Sequence, residues 1–466
     1  MDWAHFILQH DTDDLARLAL SRGRFGADVP DFDLALTTLE VRRKLRGKVP
    51  EWYAVPGLRY PSRLSGEQCS STETARYKAS VACSVVSGYS APAFEGIFAG
   101  NEYQMGPGAV KNGPFCGCPV PEAAIADLTG GLGVDSWAFS KVFRKVLYNE
   151  MQPALADAAR HNFALLGADN IVVRNRTLGS AGAPSDPTFA SAPSDQTSVK
   201  VPANQPSSDA PSNQASISQI LDGFQPDIIF LDPARRAADG RKVFRLEDCQ
   251  PDVLKLLPEL LDACPLILLK LSPMADISLV CKQLGHVSQV HVVAAEGECK
   301  ELLLVLQKGW TGDYGLTVYE SGAVAVLSGG AEPGTGIEYA REEDLTGWLF
   351  EPGKALLKAG AFDWPGAVFG LRKLGRHTHL YVSESPIPEG LAPLGKCFRI
   401  KAVEPLNKSG MKAMAKAFAQ AEVSARNVPL SSDELRRRLG VRSGGGIHIF
   451  GVHLDTAGNW LIAAES

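Results

Sequence analysis

The chain has 466 residues and lacks any long uninterrupted apolar run. Its longest apolar stretches, such as residues 265–269 and 302–306, fall far short of the roughly 18 residues that a membrane-spanning helix needs. We therefore expect no membrane association. The first residues also lack the basic and apolar regions of a secretory signal, which favours a cytoplasmic protein.

Cysteine is scarce, with nine residues in the whole chain. So low a frequency excludes a disulfide scaffold. The only close pair is Cys116 and Cys118, and no second pair follows at the spacing of a zinc site, so we expect no metal. The formal net charge of -5 neither requires nor excludes a polyanionic partner, so the local distribution of charge must decide.

The length favours two to four domains. Residues 1–66 show helical spacing and predict a small helical domain, and a helix at 74–86 would begin with a capping box of Ser70 and Glu73. From about residue 122 onward, short apolar strands alternate with helices, and two final strands are expected to close the sheet as an antiparallel edge pair. The strands are expected at 124–128, 145–148, 171–173, 227–231, 266–271, 290–294 and 302–306, and the first two helices at 134–143 and 152–166.

This alternation predicts an α/β fold with a doubly wound, Rossmann-like parallel sheet over residues 67–310. Residues 179–216 interrupt it with a segment rich in serine, proline and alanine, which we interpret as a disordered insertion. Residues 311–394 predict a small α+β domain. Residues 395–466 predict a last small α+β unit, with helices at 412–422 and 431–439 and a hairpin of 447–454 with 460–463.

The informative stretch follows the first predicted strand and contains Asp127, Gly130, Gly131 and Gly133. Glycines there let the backbone adopt positive φ and approach a ligand closely, and the next helix adds the positive end of its dipole. The stretch is neither the Gly-x-Gly-x-x-Gly of dinucleotide enzymes nor a phosphate loop ending in Gly-Lys-Ser/Thr, so pyrophosphate is not the expected ligand.

Two further acids end predicted strands. Glu150 follows the second strand, where a carboxylate can accept both ribose hydroxyls of a nucleoside, although an acid at the start of a helix would look the same. Asp232 and Pro233 end the fourth strand. A carboxylate there can accept a hydrogen bond from an amine and orient its lone pair for attack, and an ordinary Asp-Pro turn is the alternative.

The order Asp-x-x-Gly-Gly-x-Gly, an acid after the second strand, and Asp-Pro-x-Arg after the fourth resembles the class I S-adenosylmethionine-dependent methyltransferases. Within that class, the chain resembles bacterial members that carry a C-terminal THUMP-like domain. The residues that carry this closer resemblance are 67–71, 75–79, 127–135, 270–274, 351–352, 358–360, 378–381 and 449–452.

The resemblance implies S-adenosylmethionine as cofactor and assigns roles to matching positions. Asp127 and the three glycines would surround its methionine part, Glu150 its ribose, and Gln68 and Ser71 would lie over the methionine end. Asp232 and Pro233 would be the catalytic pair facing the substrate, with Arg235 or Arg236 close to a phosphate. The insertion departs from a compact core at the loop after Val173, which would contact adenine.

Methyl transfer is an in-line displacement that mainly needs alignment of donor and acceptor. Methylation at pyrimidine C5 would also need a cysteine nucleophile. The end of the fifth strand offers none, and Cys249 and Cys264 lie off the expected edge of the sheet, so a nitrogen or a ribose oxygen is the expected acceptor. Lys270 is a candidate base or substrate-positioning group, and a lysine that simply reaches solvent is the alternative.

Charge is segregated along the chain, since residues 396–442 hold eleven basic residues against four acidic ones. Arg436, Arg437 and Arg438 lie in this stretch, and such segregation suits binding to a phosphate backbone. A solvated basic helix is the alternative. The sequence thus predicts a methyltransferase of ribosomal or transfer RNA. A methyltransferase of protein or small molecules, or a non-catalytic RNA-binding protein with this fold, remains open.

Overall fold

The computed structural model describes residues 2–25, 29, 31–88, 110–112, 120–179, 214–235, 246–327 and 337–466. The chain divides into two compact units. The first comprises Met1–Ala79 with Pro119–Leu268, and the second comprises Ser80–Cys118 with Leu269–Ser466. The pair Cys116 and Cys118, the residue Arg236 and most of the predicted insertion lie outside the described residues.

The helices, in chain order, are α1 Trp3–Gln9, α2 Leu15–Leu20, α3 Arg22–Phe25, α4 Phe32–Lys48, α5 Pro50–Tyr53, α6 Arg63–Gln68, α7 Thr72–Val86, α8 Val134–Ser140, α9 Pro153–Leu165, α10 Ile217–Leu221, α11 Val253–Ala263, α12 Ile277–Leu284, α13 Lys354–Lys358, α14 Trp364–Phe369, α15 Lys408–Ala417 and α16 Ser432–Leu439. None of the helices in these ranges is long and apolar enough to cross a bilayer.

The strands are β1 Val110–Asn112, β2 Val120–Asp127, β3 Phe143–Asn149, β4 Ile171–Arg174, β5 Thr177–Leu178, β6 Gln214–Ala215, β7 Ile228–Leu231, β8 Ala234–Arg235, β9 Cys249–Gln250, β10 Leu266–Leu271, β11 Val287–Ala295, β12 Glu298–Gln307, β13 Gly315–Glu320, β14 Ala323–Leu327, β15 Trp348–Pro352, β16 Arg372–Gly375, β17 Thr378–Ser383, β18 Gly395–Pro405, β19 Glu422–Arg426, β20 Ile447–Leu454 and β21 Gly458–Glu465.

In the first unit, α1 to α6 form the expected helical region around a core that includes Phe6, Ile7 and Leu39. The parallel sheet follows, with β7, β2, β3 and β4 side by side in that order. The register sets Asp127 beside Tyr148 of β3 and Phe230 of β7, so the carboxyl ends of three strands meet at one edge. Ligands of such sheets bind beyond this edge, which therefore positions the candidate site.

The predicted doubly wound α/β fold is confirmed, with differences at particular elements. Helix α8 ends at Ser140 rather than 143, because Phe143 already enters β3 and is buried there. The expected capping box of Ser70 and Glu73 is wrong. The hydroxyl of Ser71 accepts the hydrogen bond from the Thr74 amide at the start of α7, which leaves Ser70 for another role.

The predicted insertion of 179–216 ends before residue 214. Gln214 and Ala215 form β6, which pairs with β5, and the Ser216 side chain caps α10. The Gly179 amide donates to the Ala215 carbonyl oxygen over 3.1 Å. The two ends of the intervening segment are therefore held next to each other; residues 180–213 lie outside the described ranges.

In the second unit, β11 and β12 are antiparallel as predicted, but they do not close the sheet. Strand β11 also pairs in parallel with β13, and β14 and β1 continue the sheet beyond it. Strands β13 and β14 therefore extend this sheet instead of starting the separate α+β unit expected at 311–394. Strands β12 and β13 cover both edges of β11, which is buried along its whole length.

A seven-stranded sheet completes the second unit in the order β16, β17, β15, β18, β21, β20, β19. The predicted hairpin is confirmed as β20 and β21, and a capping box of Ser431 and Glu434 begins α16. Helix α15 starts at Lys408 rather than 412, because the Asn407 side chain accepts from the Gly410 amide and starts the helix one turn earlier. Both helices pack on a cluster that includes Met414, Leu435 and Ile449.

Candidate active site

The glycine-rich turn connects β2 to α8 at the carboxyl edge of the parallel sheet. The Gly130 amide donates to the Asn149 carbonyl oxygen over 2.8 Å, and the Gly133 amide donates to that of Gly130 over 2.9 Å. A Cβ atom on Gly130 would lie 2.2 Å from the Tyr148 ring, so only glycine fits there. Gly133, the N-cap of α8, has φ of 95°, in the left-handed region that glycine adopts freely.

Gly131 occupies the tip of the turn and also has positive φ, at 53°. A Cβ built on it would meet only the Thr129 carbonyl oxygen, at 4.0 Å. The backbone at this position is thus open on the side where a side chain would stand. Such an opening lets a ligand approach the main chain directly.

Asp127 ends β2 and is buried, with 1% of its surface exposed. One of its carboxylate oxygens accepts from the Thr129 amide at 3.1 Å, and the other accepts from the Ser136 hydroxyl at 2.5 Å. The pKa of Asp127 is raised to about 8, mainly by burial; the Ser136 hydrogen bond opposes this shift, and the nearby charges of Asp135 and Asp232 add to it. Asp127 therefore holds the turn together.

Glu150 follows β3 and is 7% exposed. Its carboxylate accepts from the Gly131 amide at 2.9 Å and from the Gln152 amide at 2.8 Å. Burial raises the pKa of Glu150, and these backbone hydrogen bonds partly oppose that shift. The carboxylate reaches back to the turn and still has lone pairs available, so it does more than cap α9, whose start at Pro153 carries no side-chain cap.

Asp232 follows β7, and its amide donates to the Thr129 hydroxyl over 2.6 Å. This contact, together with the effect of the Asp232 charge on Asp127, places the end of β7 beside the glycine-rich turn. Pro233 is buried next to it. Arg235 belongs to the short strand β8, which pairs with Cys249 of β9, and only its backbone is described.

Three predicted site residues lie in surroundings that differ from those expected. Gln68 is exposed at the end of α6, and the Ser71 hydroxyl caps α7. Lys270 belongs to the second unit, where its ammonium lies 3.8 Å from the buried carboxylate of Glu301 and is itself 14% exposed. Its surroundings are those of a partly buried ion pair and not of a lysine that reaches solvent.

The sequence interpretation missed a buried polar cluster beside the turn. The Lys78 ammonium is fully buried and donates to the Ser70 hydroxyl over 3.0 Å, while Ser70 donates to the Asp135 carboxylate over 2.8 Å. The signal was available, because Lys78 lies on the apolar face of α7 with the buried residues Ala75 and Ala82. A lysine buried in that position needs an acidic partner, because an unpaired buried charge is strongly unfavourable.

A groove of about 380 Å³ opens at the end of β4, where the resemblance places the loop after Val173. Asn175 on its wall donates to the Glu150 carbonyl oxygen over 2.7 Å, so the groove adjoins the acid of the site. Its lining residues are Arg160, Val173, Arg174, Asn175, Arg176, Gln219 and Asp222.

The two cysteines expected off the edge of the sheet have different positions, since Cys249 lies opposite Arg235 in the pairing of β8 with β9. Cys264 donates to the Pro226 carbonyl oxygen, which precedes β7 at the opposite edge from Asp232. Burial raises the pKa of Cys264 to about 11, so its thiol stays protonated. Cys249 is completely buried.

In the second unit, the three arginines of α16 differ in exposure. Arg437 and Arg438 are exposed, whereas Arg436 is half-buried and forms an ion pair with Asp433 at 2.5 Å. The basic residues of α15 are exposed too, and the four-residue spacing of Lys408, Lys412 and Lys416 puts them on one face. Helices α15 and α16 contact each other.

Comparison with known proteins agrees with this arrangement. Residues 348–389 match a family model for a ferredoxin-like domain, and residues 395–466 match one described as THUMP domain-like. Two Mycobacterium tuberculosis proteins, from strains CDC 1551 / Oshkosh and ATCC 25618 / H37Rv, are 26% identical over 223 residues. Both are described as uncharacterized S-adenosylmethionine-dependent methyltransferases. The match spans 46% of this chain and 57% of the length of each relative.

A solved structure from Porphyromonas gingivalis W83, described as a "putative methyltransferase", superposes with a TM-score of 0.73 at 27% identity. The superposition covers 99% of this chain and 97% of that one. The resemblance predicted from the glycine-rich turn and its flanking acids is thereby confirmed. This chain combines the fold of the class I S-adenosylmethionine-dependent methyltransferases with a C-terminal domain of the THUMP-like family.

Proposed function

We propose that the protein is an S-adenosylmethionine-dependent methyltransferase that modifies ribosomal or transfer RNA at a nitrogen or a ribose oxygen. The observation that carries the proposal is the convergence of Asp127, Gly131 and Glu150 at the carboxyl edge of the parallel sheet. This edge of the sheet combines an open backbone position with two buried carboxyl groups. The combination suits a ligand that carries positive charge and vicinal hydroxyls.

The residues present fit this cofactor. The open side of Gly131 leaves room for the methionine part, and the nearby Asp127 carboxyl group favours its positive charge when it is ionised. The remaining lone pairs of Glu150 can accept the ribose hydroxyls, and the adjoining groove after Val173 is available for adenine. S-adenosylmethionine supplies an electrophilic methyl group on a positively charged sulfur.

On the acceptor side, the chain mainly has to orient the attacking atom. Asp232 follows the strand beside the turn, and its backbone is fixed by Thr129, so its carboxylate can accept a hydrogen bond from the acceptor and direct its lone pair. Pro233 limits the mobility of this corner. Arg235 and Arg236 are candidates for contact with a nearby phosphate of the substrate.

A nitrogen or oxygen acceptor agrees with the state of the cysteines. Attack on pyrimidine C5 would need a thiolate next to the acceptor. Cys264 lies at the opposite edge with a raised pKa, and Cys249 is fully buried. Neither residue can serve as that nucleophile.

RNA is favoured as the substrate by the charge of the THUMP-like domain. Arg437, Arg438 and the three lysines of α15 are exposed and can each displace a counterion from a phosphate backbone. Ribosomal or transfer RNA as substrate would place the reaction in the cytoplasm. The assignment of Lys270 to substrate is weakened by its pairing with Glu301.

The decisive experiment measures transfer of a radiolabelled methyl group from S-adenosylmethionine to total RNA from a strain that lacks the gene. We expect labelling of one RNA species by the wild-type protein and none by Glu150→Ala. Binding of S-adenosylmethionine without RNA labelling, and without salt-dependent RNA binding, would point to a protein or small-molecule substrate. RNA binding without cofactor binding would identify a non-catalytic RNA-binding protein.

A further inference from the structure

The cluster of Lys78, Ser70 and Asp135 has no role in the proposed reaction, yet it adjoins the glycine-rich turn. Lys78 is 0% exposed, and burial of an ammonium group is strongly unfavourable unless it is paired. Its partner Asp135 is 3.3 Å away and is the second residue of α8, directly after the turn. A buried charge pair at this position ties α7 to the start of α8.

Two neighbouring residues of α8 connect this pair to the site. Asp135 is held by Ser70 and Lys78, and the next residue, Ser136, donates to the Asp127 carboxylate over 2.5 Å. The position of Ser136 therefore depends on how Asp135 is held. Movement of the first turn of α8 would break the shortest hydrogen bond to Asp127.

The same pair also influences charge at the site. Asp135 lies close enough to Asp127 for its negative charge to disfavour ionisation of that carboxylate. The other ionisable groups that face Asp127 are Asp232, beyond β7, and Tyr148, on β3. Lys78 is the cation that offsets Asp135 within this group.

We propose that Lys78 is a positioning residue for the cofactor site: its buried ammonium fixes Asp135 and the first turn of α8, and offsets the negative charge that Asp135 would otherwise exert on Asp127. The inference rests on the proposed function in one respect, which is that an ionised Asp127 favours the positively charged cofactor. The effect of Lys78 on Asp127 itself can be measured in the free protein.

The test uses full-length protein with ¹³C-carboxyl-labelled aspartate, and follows the Asp127 carboxyl signal by NMR as a function of pH. Asp127→Asn assigns the signal by its loss. Lys78→Gln keeps a hydrogen-bond donor for Ser70 but removes the charge. We expect it to raise the titration midpoint of Asp127 by about one pH unit, and Asp135→Asn to lower it by a similar amount.

Calorimetry with S-adenosylmethionine at pH 7 provides the second measurement. A pKa increase of one unit lowers the ionised fraction of Asp127 about tenfold, so Lys78→Gln should weaken binding about tenfold. Asp135→Asn should not weaken it. The double variant Lys78→Gln/Asp135→Asn loses two charges with opposite effects on Asp127, so its midpoint should lie above that of Asp135→Asn and close to that of the wild type.

An unchanged Asp127 midpoint in all variants would overturn the inference, even if their thermal stability fell, because a purely structural role predicts that pattern. If Lys78→Gln fails to fold, Asp135→Asn and the double variant still decide the matter, since the double variant must have the higher midpoint of the two. Failure of the wild-type protein to bind S-adenosylmethionine would refute the proposed function. The titration of the free protein would still decide the role of Lys78.

Discussion

The hydroxyl of Tyr148 donates a hydrogen bond to the carbonyl oxygen of Gly131, 2.6 Å away, while the ring of the same tyrosine fills the space that a side chain on Gly130 would need. One residue of β3 thus fixes two consecutive residues of the turn that follows β2. The carbonyl group at the tip of the turn is held in place by this hydrogen bond. The predictions below follow from this turn and from the charges around it.

Gly130→Ala should disrupt the turn. Its new methyl group would stand 2.2 Å from the Tyr148 ring, which is buried and cannot move aside freely. We expect a loss of about 1–3 kcal/mol in the free energy of unfolding, measured with urea, and loss of S-adenosylmethionine binding. Gly47→Ala in α4 is the matched control, because nothing lies within 4 Å of its added Cβ. That variant should gain about 0.5–1 kcal/mol.

Glu150→Gln should weaken cofactor binding while the fold persists. The amide oxygen can still accept from the Gly131 backbone, but the charge-assisted acceptor for ribose hydroxyls is lost. We expect affinity for S-adenosylmethionine to fall about tenfold, which corresponds to about 1.4 kcal/mol. Isothermal calorimetry measures this. Glu122→Gln removes an exposed carboxylate from the same unit and should leave the affinity unchanged; equal losses in both variants would contradict the assignment.

Asp127 should make stability depend on pH. Its pKa is raised on folding to about 8 from an ordinary value of 3.8, so its contribution to stability is fully present below pH 3.8 and is lost as the pH rises through about 8. Asp127→Asn cannot ionise. Urea unfolding between pH 5 and 9 should therefore show the variant gaining on the wild type as the pH rises.

The hydrogen bonds lost in Asp127→Asn add a cost that does not depend on pH. Only the pH dependence of the difference in unfolding free energy between variant and wild type therefore tests the pKa of Asp127. A difference that stays constant from pH 5 to pH 9 would show that Asp127 has no raised pKa in the folded protein.

Lys270→Met should affect stability more than substrate affinity. It would leave the Glu301 carboxylate, which is 3% exposed, without the charge of Lys270. We expect a loss of about 3 kcal/mol in the free energy of unfolding. The double variant Lys270→Met/Glu301→Gln should recover much of that loss. If the single variant unfolds like the wild type but loses RNA labelling, Lys270 contacts substrate as the sequence suggested.

Arg437→Gln/Arg438→Gln should weaken RNA binding at low salt and make it less dependent on salt. If each guanidinium contacts one phosphate, the slope of log affinity against log salt should decrease by about 2 in magnitude. Fluorescence anisotropy with ribosomal RNA fragments at several salt concentrations measures the slope. Arg341→Gln/Arg376→Gln removes the same charge from exposed positions outside residues 396–442 and should leave the slope unchanged.

The sequence predicted the part of the fold that depends on local pattern. The strands that end at Asp127 and Leu231 are apolar runs followed by turn residues, so their type and order could be derived from the chain alone. The pairing of β11 with β13 could not, because an apolar strand shows no sign of which neighbour covers its edge. These strands overturn the expected boundary near residue 311, and the rest of the domain assignment stays a prediction.

The candidate site, like the fold, could be predicted from the sequence only in part. Asp127 and Glu150 were predicted from their places after strands, and the structure brings both to the glycine-rich turn. Ser70 was assigned to a capping box because its spacing to Glu73 fitted, but its hydroxyl serves a carboxylate that is 65 residues away along the chain. Local spacing carries no information about such a distant partner.

The short pairing of β5 with β6 brings Gly179 and Ala215 together. The distance between these two residues is therefore set by the pairing and not by the number of residues that connect them. Insertion of a fluorescent reporter or an affinity handle between them should leave this pairing in place.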